Sequence, residues 1–185
     1  GAPTLAMAVD QADDTIWTTG NPNWLYMVNA NTQAVTRMAG TYLDPDYLAV
    51  SNVTHAAYVS SRTIPYRSVT RVTPDGVTTP WTSPVFGNIR GLSIDDSGTL
   101  AVVTLSSNAI YFLDGATMQQ AAEPITWPGA TRVAQASSGL IYVATTFSGS
   151  LAVIAQVQGG ISGGPVSPGD AVDAYLTTTP EYAAG

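Results

Sequence analysis

Four times along this chain the same order recurs: an apolar strand, a tight turn, then a second strand rich in β-branched and aromatic residues. The second strands read TIWTTG, AAYVSS, TLAVVT and LIYVAT. Aligned on Ile16, Ala57, Leu100 and Ile141, they are spaced by 41, 43 and 41 residues. LAMAVD, YLAVS, GLSID and RVAQA precede them, and WLYMVN, RSVTRV, AIYFLD and LAVIAQ follow. Weaker fourth strands are read in AVTRMA, GVTTPW and AEPITW. The last is read in DAVDAYLTT, after a Gly/Pro-rich insertion from Gly159 to Gly169. This period constrains the fold more than any single residue does. A unit of four short strands cannot bury both its faces alone and has to stack on copies of itself.

Asp-Asp, Asp-Gly and Ser-Gly pairs punctuate the strands, and no stretch keeps a helical period. The expected fold is therefore all-β and β-propeller-like, with four blades of four antiparallel strands. The blades fall at about 5–40, 46–81, 89–127 and 131–158. Residues 159–185 supply the insertion, a last outer strand and a tail. The first strands interleave small residues with larger ones, as in LAMAV and VAQA, and this suits the crowded axis of a propeller. The strands of a β-sandwich, the competing architecture, more often alternate plainly between apolar and polar.

The stretches GLSIDDSGTLAVVTLSSNAIYFLDGATM and LAMAVDQADDTIWTTGNPNWLYMVNANTQAV resemble the YVTN/surface-layer type of propeller repeat. In such a repeat a strand ends in Asp, a turn follows, and a Tyr-Val-Thr-Asn-like strand comes next. The resemblance implies a non-catalytic display or binding scaffold, commonly at a cell surface. Propellers of that type usually have six to eight blades. Four blades form either a small closed ring or an open arc that another chain completes.

Composition narrows the partners. Among 185 residues 45% are hydrophobic and 10% charged, a poor recipe for disorder. Lysine is absent, the six arginines are scattered and the net charge is -7, which argues against nucleic acid and anionic membrane surfaces. No apolar run is long enough to span a membrane. Without cysteine there is no disulfide, thiolate nucleophile or cysteine–zinc site. The start at Gly1, without methionine or a leader, reads as a processed or trimmed product or as a piece of something longer.

Two sets of loops share one face of a propeller: those leading into each inner strand and those joining second to third strands. The resemblance places ligands there. Candidate rim residues are Trp24, Asp46, Arg62, Trp81, Arg90, Trp127 and Arg132, with aromatic faces for stacking and guanidinium groups for carboxylates. The plainer alternative has Trp81 and Trp127 closing the core between blades while Arg90 and Arg132 pair with Asp46. The single histidine, His55, falls in a turn on the opposite face and no G-x-S-x-G surrounds any serine, so no catalytic residue is assigned. Asp13, Asp14, Asp95 and Asp96 sit in tight turns that aspartate favours for its own backbone hydrogen bonds. No metal or cofactor is assigned. Asn52-Val53-Thr54 matches a glycosylation sequon.

The expected role is a non-enzymatic structural or binding module displayed outside the cell, on a cell surface or on a virion-like particle. Its partners would be other protein subunits, a second copy or a surface glycan. A propeller hydrolase acting on lactones or glycans is the alternative.

Overall fold

The computed structural model describes residues 6–20, 24–38, 45–61, 67–146, 151–157, 160–166 and 183–184. Every regular element among them is a strand. The first sheet holds β1 (Met7–Asp10), β2 (Thr15–Gly20), β3 (Trp24–Asn29) and β4 (Val35–Arg37). The second holds β5 (Leu48–Val50), β6 (Ala57–Ser61), β7 (Ser68–Val72) and β8 (Thr78–Thr82). The third holds β9 (Ile89–Ile94), β10 (Leu100–Leu105), β11 (Ala109–Asp114) and β12 (Gln120–Thr126). The fourth holds β13 (Ala130–Gln135), β14 (Leu140–Thr145), β15 (Leu151–Val157), β16 (Gly160–Val166) and β17 (Ala183–Ala184). Consecutive strands pair antiparallel within each sheet, except that β17 joins β16 in parallel. The expected all-β fold of four-stranded antiparallel blades is what forms.

Each sheet presents one face to the blade before it and one to the blade after, because side chains alternate along a strand. Trp17 and Leu25 of the first blade pack with Ala57, Val59 and Val72 of the second. Tyr58, Val69 and Trp81 of the second pack with Ala101, Val103 and Leu113 of the third. Leu100, Val102 and Phe112 of the third pack with Ile141, Val143 and Ala152 of the fourth. The innermost strands touch in succession, β1 on β5, β5 on β9 and β9 on β13. Opposite the large residues Trp17, Tyr58, Val102 and Tyr142 these inner strands place Ala8, Ala49, Ser93 and Ala134. That is the small-residue pattern expected near a propeller axis.

Two details differ from the sequence reading. The alignment of Leu100 with Ile16, Ala57 and Ile141 slips by one residue. Ala101 faces the preceding blade as Ala57 and Ile141 do, whereas Leu100 faces the following one. In a strand a slip of one exchanges the faces. The outer strand of the fourth blade is Gly160–Val166, GISGGPV, inside the stretch read as an insertion. DAVDAYLTT lies outside the described residues. No described helix is long and apolar enough to cross a membrane.

Candidate functional site

Strand direction sorts the loops onto two faces. On the upper face the chain arrives at each inner strand and crosses from second to third strand. On the lower face lie the turns at residues 11–14, 30–34, 51–56, 73–77, 95–99, 115–119 and 136–139. This sorts charge as well. Arg37, Arg67, Arg90 and Arg132 lie at the upper ends of their strands, and Asp46 is the one acid there among the described residues. Asp10, Asp13, Asp14, Asp75, Asp95, Asp96 and Asp114 all lie at the lower ends, where Arg71 is the cation.

The sequence-nominated rim residues scatter between rim and core. Trp81 is 9% exposed and meets the Tyr111 ring at 5.3 Å between the second and third blades, so it is a core residue and not a rim platform. Trp127 packs against the core between the third and fourth blades, and its amide donates to the Asn108 carbonyl. Trp24 is half-buried beneath the Arg37 guanidinium, 4.1 Å from its ring centre. Asp46 lies just before β5, where its amide donates to Ser60 Oγ. Arg132 reaches from β13 to the Tyr47 ring beside β5, at 4.8 Å. Arg62 lies outside the described residues.

Arg90 is exposed and lines an open pocket of about 190 Å³ with Ser106, Asn108, Gly129, Ala130, Thr131 and Thr146, at the seam of the third and fourth blades. Internal bonds already occupy most of its polar lining. The Asn88 amide donates to Ser106 Oγ, the Gly129 amide to Asn108 Oδ1, and Thr131 Oγ1 to the Ala144 carbonyl. The guanidinium is the strongest group left to face a ligand. Sequence reasoning missed the most exposed aromatic of this face among the described residues. Phe86 is 80% exposed, carries the Arg67 guanidinium 3.7 Å from its ring centre, and adjoins exposed Val85. A single phenylalanine in a Ser-Pro-Gly loop gives no periodic signal. The buried Nε of Arg67 has no hydrogen-bond partner among the described residues.

The lower face holds a different constellation. Asp10, fully buried at the end of β1, accepts a 2.6 Å hydrogen bond from His55 Nδ1 in the next blade, and its other oxygen accepts from the Ala12 amide. Asp13 stands 3.7 Å from the same nitrogen. The Asp10 hydrogen bond raises the His55 pKa; partial burial opposes this, and the charges of Asp10 and Asp13 add to it. Asp10 orients the imidazole as the acid of a triad would, and no serine hydroxyl bonds His55 among the described residues. The donor atoms of Asp10, Asp13 and His55 lie within 4.8 Å of one another, a spacing open to a divalent cation. The Asp10–His55 bond already satisfies two of the three.

No protein-family model and no curated protein matches the sequence. Among solved structures, the chain is similar to the crystal structure of the RRP9 WD40 repeats, with a TM-score of 0.68 at 11% identity over 83% of this chain. The match covers 48% of that chain, so this chain spans about half the length of the solved one. At that identity the likeness bears on the fold alone: this is a β-propeller repeat protein in architecture, and the surface-layer subtype is not singled out.

Proposed function

We propose that the protein is a non-enzymatic binding scaffold whose upper face grips an acidic, partly apolar segment of a partner protein. The observation that carries this reading is the segregation of arginines and acids between the two faces, with exposed Phe86 stacked on Arg67 at the cationic one. On a chain of net charge -7, a cationic rim is a local feature that would steer an acidic ligand to one face. Aromatic and arginine side chains are also those that dominate binding energy at protein interfaces. The charge-poor, lysine-free surface supports display among packed protein subunits, at a cell surface or on a particle. The Asp10–His55 bond is accounted for as a clasp between the first two blades.

A fluorescent peptide of alternating glutamate and leucine, titrated at low and high salt, tests the reading. Binding should weaken with salt. Phe86→Ala and Arg90→Ala should each weaken it by roughly tenfold, about 1.4 kcal/mol in free energy. Binding that ignores salt and both substitutions would rule this face out. A glycan ligand would instead survive high salt and be lost with Phe86→Ala alone.

A further inference from the structure

We propose that two copies of this chain close a ring, with the first blade of each seated on the fourth blade of the other. Unlike the upper-face reading, this concerns the ends of the arc, and neither depends on the other.

The first blade presents a row of paired apolar residues across its full width: Val9 on Ile16, Ile16 on Val28, Val28 on Val35. Val9 is 50% exposed and Val35 63%. In the second, third and fourth blades the same registers carry Val50 and Ala57, Ile94 and Ala101, and Gln135 and Ile141, each packed against the blade before. Val9 and Ile16 thus belong to a surface that is an interblade seam everywhere else in the molecule.

The complementary surface is at the other end. Tyr142 occupies the register of Trp17, Tyr58 and Val102, each of which packs onto the next blade, yet it is half-buried with no described blade beyond it. On the same face Leu151, opposite Ala144, is 38% exposed, while Val153, opposite Tyr142, is buried. One internal contact fixes how the ends should meet. Gln135 Nε2 donates to Ser93 Oγ across the third seam at 3.0 Å. Gln135 holds the register of Val9, and Ser93 that of Ala134. The same docking therefore sets Val9 of one copy against Ala134 of the other.

Curvature and chain path favour a second copy as the occupant. The inner strands of the first and fourth blades are not among the closely packed pairs. The four blades match about half of a WD40 chain, and two such arcs make eight blades, within the usual range for propellers. The last described strand, β17, pairs with β16 on the fourth blade, and Val9 and Val35 of the first blade stay half-exposed or more. Two arcs related by a two-fold axis bury both ends at once, whereas one interface alone would leave the chain to polymerise.

Sedimentation at micromolar concentration should show a particle of two chains. The double variant Val9→Glu with Val35→Glu, at positions already half-exposed or more, should sediment as one chain with an unchanged β-type circular dichroism spectrum. Because the chain has no cysteine, mixing Val9→Cys with Ala134→Cys under mild oxidation should give a covalent heterodimer. A single-chain wild-type particle, an assembly of three or more chains, or a double variant that stays paired would each overturn the proposal.

Discussion

Single residues hold the blades in register, and two of them make sharp tests. A Cβ on Gly91 would stand 2.7 Å from the Thr131 carbonyl oxygen and 2.8 Å from Thr104 Oγ1, where β9 and β13 meet beside the axis. The first neighbour is backbone and cannot swing away. Gly91→Ala should therefore cost about 1–3 kcal/mol in chemical denaturation, the range of overpacking. A neutral result would mean that the inner strands are looser than described. His55 tests the lower face. Its pKa is raised above 6.5 in the folded state, chiefly by the bond to Asp10. The contribution is therefore full below pH 6.5 and lost as pH rises through the folded value. The stability gap between the parent protein and His55→Ala should be wide in mild acid and narrow above neutrality. Asp95 behaves in the opposite sense. Burial pushes its carboxyl up, but the Leu100 and Thr99 amides and the Ser97 and Thr99 hydroxyls outweigh this and leave it lowered from 3.8. Its contribution is present above pH 3.8 and lost as pH falls through the depressed value. A gap for His55→Ala that widened with rising pH would contradict a stabilising Asp10–His55 bond.

At the scale of the strand, the sequence was most legible where packing and β-propensity agree. TIWTTG and LIYVAT alternate large side chains that both faces of a blade can bury, so their existence and antiparallel pairing follow from the residues. Register was less legible. LAVVTL is apolar at nearly every position, because β10 is buried on both faces, and a run without alternation does not say which face a residue takes. GISGGPV escaped notice because glycine and proline are depleted in strands and are tolerated at a sheet margin. The site was least legible. Trp81, nominated for the rim, fills a seam, whereas Phe86, five residues on and not nominated, is exposed. Trp17 and Tyr58 turn this scale into numbers. Both are fully buried at seams, and Trp17→Ala should destabilise by about 3–5 kcal/mol. Trp17 Nε1 has no hydrogen-bond partner among the described residues, so Trp17→Phe should cost distinctly less than the alanine variant. Tyr58 Oη donates to the Gly115 carbonyl at 2.7 Å, and Tyr58→Phe should cost about 1 kcal/mol. Equal losses for Trp17→Phe and Trp17→Ala would show that the indole nitrogen is satisfied after all.

Over the whole molecule the blades form a row in which each contacts its neighbours, so stability should vary along the row. The seams are unequal. Among the described residues, twelve buried hydrophobic side chains join the second blade to the third, against six joining the first to the second. The first blade therefore hangs on the weakest of the internal seams and exposes Met7, Val9 and Val35 on its far side. Local opening draws on the least buried regions, and opening this blade sacrifices one small seam while leaving the other two intact. Amide hydrogen exchange should be fastest in β1 to β4 and slowest in β6, β9 and β10, whose central residues are nearly all buried. Pairing of two copies would bury the far side of the first blade and shrink the difference. The gradient should then be steepest in the Val9→Glu, Val35→Glu double variant and should flatten with protein concentration in the parent. Uniform protection across all four blades in the double variant would mean that the propeller opens as one cooperative unit, and that the inequality of the seams has no consequence for its dynamics.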